Sequence, residues 1–130
     1  MATKEKTVKF TSVVKGQKSG VVKKWMTSVT NERRWQEVWD EHTATQTPKP
    51  ALPKVDFKKH MIIVVFAGDK DSRGFSVSVA DIEESPTGIM VTYKNTDASG
   101  KGTTQAFHFV KVKASKKSVN FIEDIWRAKR

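Results

Sequence analysis

The chain has 130 residues, 37% of them hydrophobic, with four Trp, seven Phe and no cysteine. That length and composition predict one folded domain over residues 1–130 with its own apolar core, and the absence of thiols excludes disulfides, thiolate nucleophiles and cysteine-ligated metal. The formal charge of +10 is terminal: residues 1–24 hold seven Lys and one Glu, residues 109–130 hold seven Lys or Arg against Glu123 and Asp124, and the stretch between is close to neutral.

Taken in chain order, residues 7–13 alternate with β-branched side chains and predict a half-buried strand, residues 16–20 its turn, and residues 21–27 a second strand with Trp25 as the side chain most worth burying. Thr30 or Asn31 then suits a helix cap, Glu32 suits the positive N-terminal end, and Trp35, Val38, Trp39 and His42 recur at i, i+3, i+4, i+7, predicting one helix near residues 31–42. Arg33, Arg34, Glu37, Asp40 and Glu41 make its wet face. Residues 43–53 hold three prolines and read as a long connection anchored by Leu52, Val55 and Phe57.

Residues 61–67 are apolar without alternation, which predicts a central strand covered on both faces. The run is far short of the roughly 20 residues a membrane-spanning helix needs. Residues 75–79 alternate strictly, Ser85-Pro86-Thr87-Gly88 is a turn by composition, and Ile89, Val91 and Tyr93 alternate again, predicting a hairpin. Residues 97–102 form a tip, and residues 103–113 a last long strand with Phe107 and Phe109 on one face and Ala106, His108, Val110 and Val112 on the other. After a turn at 115–118, Val119 and Phe121, with Ile125 or Trp126, supply a closing strand or a short helix. The expected class is α+β: a mainly antiparallel sheet of about six strands, curled or folded as a sandwich, with one packed helix.

No catalytic or cofactor motif stands out. The histidines show no metal-ligand spacing: His42 reads as a favourable charge at the helix C-terminus, His60 precedes the central strand, and His108 reads as a partly buried sheet residue. No Ser sits in a nucleophile elbow, and Gly100-Lys101-Gly102 lacks the rest of a phosphate loop. Metal, cofactor and enzymatic activity are therefore not expected. The candidate functional element is the turn Asp69, Lys70, Asp71, Ser72, Arg73, Gly74 and Phe75, with Gly74 suited to a positive φ and residues 69–73 displayed outward as a protein-binding loop; its plain structural alternative is a β-hairpin connection. The terminal lysines read as solubilising charge on edge strands, ahead of binding to nucleic acid or an anionic surface, because aromatics interleaved with Arg are missing. Residues 1–10 contain lysines but no apolar signal-peptide core; a periplasmic or cell-surface location would follow from removal of a leader, and a cytoplasmic one otherwise.

The helix Trp35-x-x-x-Trp39-x-x-His42, Leu52-Pro53-x-Val55-Asp56-Phe57, the strand Met61-Ile62-Ile63-Val64-Val65-Phe66-x-Gly68, the turn Ser72-Arg73-Gly74-Phe75-Ser76-Val77, and Thr104-Gln105-Ala106-Phe107-His108-Phe109-Val110 together resemble the C-terminal domain of the PrcB family over residues 14–121. The resemblance implies a non-catalytic accessory domain that associates with and stabilises a protease complex. The chain departs from the family where Ser72-Arg73-Gly74-Phe75 stands in place of Thr-Gly-Gly-Tyr, so a long cation replaces one glycine and a tyrosyl hydroxyl is lost. A protein partner, a protease in the family's case, is expected through the sheet edge and loop 69–75, and a protease inhibitor acting through the same loop is the alternative.

Overall fold

The apolar run at 61–67 lies at the centre of the molecule, as the computed structural model, which describes residues 6–97 and 100–124, makes plain. In chain order the elements are β1 (Lys6–Thr7), β2 (Thr11–Gly16), β3 (Trp25–Val29), α1 (Glu32–His42), β4 (His60–Lys70), β5 (Phe75–Ser85), β6 (Gly88–Asp97), β7 (Thr104–Lys113) and β8 (Val119–Glu123). They form two four-stranded sheets, ordered β1-β5-β6-β8 and β2-β7-β4-β3. The expected α+β class holds, and of the two expected shapes it is the sandwich. The eight strands exceed the expected six because β1 and β2 are separate and β8 is a strand.

Alternation along β4 explains the layers. Met61, Ile63, Val65 and Ala67 face the first sheet and pack with Val77, Val79, Ile82, Val91 and Tyr93. Ile62, Val64 and Phe66 face the other way, onto Trp35, Val38 and Trp39 of α1. A strand between a sheet and a helix has no wet face, which is why its sequence shows no polar alternation. On β7, Phe107 and Phe109 join the helix side while Ala106, Val110 and Val112 join the inter-sheet side, as the alternation predicts.

The helix begins where a cap is available: the Asn31 side chain accepts a hydrogen bond from the Arg34 amide at 2.8 Å, satisfying a donor that the first turn leaves unpaired. Its apolar stripe carries two indoles whose N–H groups need partners once buried. The long connection provides them, since Trp35 Nε1 donates to the Pro53 carbonyl at 2.9 Å and Trp39 Nε1 to the Pro50 carbonyl at 3.0 Å. Leu52, Val55 and Phe57 complete the anchoring. On the wet face, hydrogen bonds from Lys49 and then Gln36 hold the Asp40 carboxyl below its ordinary pKa.

Three expectations are corrected. The run at 7–13 is divided, because β1 pairs with β5 in one sheet and β2 with β7 in the other. Alternation marks the buried side chains of a strand but not the sheet it joins. The second strand starts at Trp25 rather than residue 21, since the chain at 22–24 is held against Gly68, and Trp25 is only half-buried, stacked on Phe66 with centroids 5.7 Å apart. The carboxy-terminal lysines Lys111 and Lys113 lie on β7, an internal strand, not on an edge. The pairing is mainly antiparallel, as expected, with β8 alone running parallel to β6 because β7 crosses to the other sheet between them. Of the two closing options the strand is realised over Val119–Glu123, and Ile125 and Trp126 lie outside the described residues.

The fourth correction concerns His42. It is 2% exposed, packed at 4.2 Å centroid distance against Phe107, and its Nδ1 lies 2.8 Å from Ser19 Oγ. Burial lowers its pKa from 6.5 to about 4, so it is a neutral core residue rather than a charge at the helix end. His108 is also neutral, its pKa lowered to about 4 by burial and secondarily by Lys15. Its role is legible from geometry. The register of β5 shifts between Val79 and Asp81, and the Val79 N–H donates to His108 Nδ1 at 2.9 Å. With Nδ1 accepting, the proton sits on Nε2, 2.9 Å from Ser12 Oγ. One imidazole thus joins β5 of one sheet to β7 and β2 of the other.

Two outcomes are expected. Trp35→Ala, which empties a fully buried site, costs about 3–5 kcal/mol in urea unfolding. For the histidines, a folded pKa below the unfolded value means that their contribution to stability is complete above pH 6.5 and is lost as pH falls through 6.5 toward 4, with a slope of at most about 1.4 kcal/mol per pH unit for each. Thermal unfolding followed from pH 7 to pH 4 shows this decline, and His108→Gln, which keeps an acceptor but cannot titrate, makes it shallower.

Candidate functional site

Loop 69–75 is neither free nor a hairpin. It leaves β4 in one sheet and enters β5 in the other, so it turns a corner between layers. A corner has no ladder partner of its own, and its polar groups are met by water or by neighbouring connections. Residues 17–24 and 100–105 do this. Gln17 Nε2 donates to the carbonyls of Arg73 and Phe75 at 3.0 and 2.6 Å. The Arg73 amide donates to the Gly100 carbonyl and its Nε to the Lys101 carbonyl, both at 3.1 Å. Thr104 Oγ1 donates to the Ser72 carbonyl at 2.9 Å, and Gln105 Nε2 to Asp69 Oδ1 at 2.9 Å.

The seven predicted residues therefore divide. Asp69, Asp71 and Arg73 are exposed, and Lys70 and Gly74 are half-buried. Ser72 and Phe75 are buried, each 8% exposed, so Ser72 is not displayed outward as expected. The Lys70 ammonium lies 5.3 Å from the Phe75 ring centroid. Arg73, the long cation where the family pattern has glycine, is accommodated by Gly100 and Gly102, which have φ of +119° and +138° and leave room beside its Cβ and Nε.

Gly74 does not take the positive φ assigned to it; Gly68 does, at +79°. Gly68 sits at the register shift of β4 against β7, and a Cβ there would stand 2.6 Å from the Lys24 amide nitrogen and 2.9 Å from the Lys23 carbonyl carbon. The close approach is confirmed by the bond from the Asp69 amide to the Val22 carbonyl at 2.9 Å. Loop 69–75 and segment 22–24 are thereby fixed to each other.

That segment is the part of the site missed from sequence. Val22 is 52% exposed, Trp25 is half-buried, and the Arg34 guanidinium lies over the Trp25 ring at 5.2 Å. Together with Lys23, Lys24 and Glu41 they border a depression of about 430 Å³. Reading residues 21–27 as a strand gave no account of Val22; the lysine pair following it was the available signal that the chain there faces water.

Among the described residues no group of three or more His, Asp or Glu is placed to hold a metal ion, and no helix is long and apolar enough to cross a membrane. His42 and His108 are both committed to packing and internal hydrogen bonds. The site offers instead a fixed, mixed-charge loop beside an exposed aliphatic and aromatic patch with basic borders.

Substituting Gly68 tests the link between the two parts. Gly68→Ala combines left-handed strain with a backbone collision, and is expected to cost about 3 kcal/mol in chemical denaturation and to shift the amide NMR signals of residues 22–24 more than those of β8.

The family model of the PrcB C-terminal domain matches residues 61–109, the stretch from the start of the apolar run on β4 through loop 69–75 and the β5–β6 hairpin to Phe109. The recognition of that family from the residue pattern holds over this stretch. Comparison with curated proteins and with solved structures returns no match.

Proposed function

We propose, from a chain whose residues 61–109 match the PrcB C-terminal domain, that this protein is a non-catalytic accessory module that holds a partner protein through loop 69–75 and the neighbouring patch at Val22 and Trp25, its partner in the family reading being a protease complex. One observation carries this proposal: the loop is ordered before any partner arrives, by hydrogen bonds from two other connections. Ordering a loop on binding costs free energy, and a loop already held in place leaves more of the contact energy as affinity. The adjoining exposed Val22 and half-exposed Trp25 offer the apolar contact that binding sites concentrate at their centre, with Arg34, Arg73, Lys23 and Lys24 as a polar rim.

The reading as a protease inhibitor uses the same loop differently, as a segment inserted into a cleft. The tethering of Arg73 through both its amide and its Nε keeps the loop against the body of the domain, which favours a docking surface over an inserted plug.

The test is co-purification of the tagged protein with its native partner, followed by affinity measurement on the isolated pair. Arg73→Glu is expected to weaken the complex about tenfold through reversal of a rim charge, with only a small change in unfolding midpoint. Unchanged affinity for both Arg73→Glu and Val22→Asp would refute the assignment of the site. Loss of protease activity in a panel exposed to molar excess of the protein would replace the accessory reading with the inhibitory one.

A further inference from the structure

The flank of the second sheet points to how such a partner is held. In the order β2-β7-β4-β3, β3 is terminal, and all five of its residues pair with β4 in unbroken register. Apart from a long contact of 3.4 Å from Thr27 Oγ1 to the Ser28 carbonyl, no backbone group of Trp25–Val29 has a partner beyond that ladder among the described residues. Such an edge is a template for another strand, and proteins usually blunt it with a bulge, a charge or a proline. The other three edges are blunted or short. β2 has a register shift between Ser12 and Val14 and carries Lys15; β1 has two residues; β8 ends on Glu123. β3 reads Trp-Met-Thr-Ser-Val, with none of these devices.

Its charges stand at its two ends instead. Lys23 and Lys24 precede it, and Arg34, paired with Glu37 at 3.2 Å, lies over Trp25, with Glu41 bordering the same depression. At the far end, Ser28 and Thr30 border a depression that they share with Lys58, Lys116 and Lys117 and with no described acidic residue; Lys117 is bonded to Glu84 at 2.9 Å, leaving Lys58 and Lys116 without an acidic partner among the described residues. This arrangement selects the occupant. A second copy adding antiparallel to β3 would bring the lysines at the start of one strand toward those at the end of the other, and like charges at an interface are penalised. A strand with carboxylates at both ends meets an excess of cations at both, Lys23, Lys24 and Arg34 outnumbering Glu37 and Glu41 at one and Lys58 and Lys116 unopposed among the described residues at the other.

We propose that β3 accepts an extended acidic segment of a partner protein as an added strand, its backbone continuing the ladder and its carboxylates meeting Lys23, Lys24 and Arg34 at one end and Lys58 and Lys116 at the other. This rests on the protein-binding reading above and names the chemistry of the bound segment. Five residues at roughly 3.3 Å each span about 17 Å, so the acidic residues flank a core of about five that alternate between the Trp25 side and the Met26 side. Main-chain hydrogen bonds supply affinity in this mode, and the flanking charges supply register and selectivity.

The probe is a fluorescent peptide with two Glu at each end of a Val-Thr-Val-Thr-Val centre, titrated into the whole protein by anisotropy. Amide hydrogen exchange is then read by NMR. Binding is expected, with alternate amides of Trp25–Val29 slowed, a loss of about tenfold or more in the exposed double variant Lys23→Glu, Lys24→Glu, and abolition when alternate peptide nitrogens are methylated. Absence of binding, binding indifferent to N-methylation, protection confined to other strands, or self-association that buries β3 would each overturn the proposal. If the peptide fails while the native complex remains sensitive to Arg73→Glu, strand addition is wrong and the binding reading stands. If the peptide binds β3 while that complex ignores both Arg73→Glu and Val22→Asp, the assignment of loop 69–75 is wrong and the edge alone is the site.

Discussion

Burial of β4 on both faces is the constraint from which the rest of the molecule follows. A strand with no solvent-facing side must be covered twice, by a sheet on one side and by something else on the other. The first sheet covers Met61, Ile63, Val65 and Ala67, and α1 covers Ile62, Val64 and Phe66. The helix is a single element of eleven residues and cannot cover the full width of a four-stranded sheet. Aromatic bulk fills the difference: Trp35, Trp39, His42, Phe66, Phe107 and Phe109 meet edge to face and tilted, at centroid distances from 4.2 to 6.0 Å. The proline-rich connection is part of the same solution, because its carbonyls receive the indole protons that burial would otherwise leave unpaired.

Polar groups inside the fold are used as ties between layers. His108 receives the amide freed by the shift in β5 and reaches Ser12 on the far side, and Gln17 spans from one connection to two carbonyls of another. In each case a backbone group displaced from regular pairing is met by a side chain from a different segment. A buried donor left alone costs more than its bond contributes when made, so His108 acts mainly by preventing a penalty at the buried Val79 amide, whereas the exposed Gln17 fixes where the corner at 69–75 stands.

The features legible in the sequence were those that a single element determines. The helix stripe of Trp35, Val38, Trp39 and His42, the Asn31 cap, the unalternating run of β4, and the two faces of β7 follow from local periodicity. What was not legible depended on the third dimension. Nothing in residues 7–13 announces a change of sheet, and the parallel pairing of β8 reflects where β7 goes. The charge state of His42 was misread because its position at the end of a helix suggests exposure, whereas the aromatic cluster around it decides its protonation. For the candidate site, the position of loop 69–75 at a turn was readable, but the burial of Ser72 was not, and the left-handed glycine expected at Gly74 is Gly68. The exposed Val22 precedes the strand that begins at Trp25, a boundary that local composition does not mark.

The contact at Gly68 has a mechanical meaning. With no side chain between them, the main chain at the end of β4 and the main chain entering β3 are in direct touch, and neither is padded by a flexible group that could absorb a displacement. A displacement of the corner therefore meets the main chain of residues 22–24 directly. Were a partner to engage one of the two, any coupling to the other would be reciprocal in free energy.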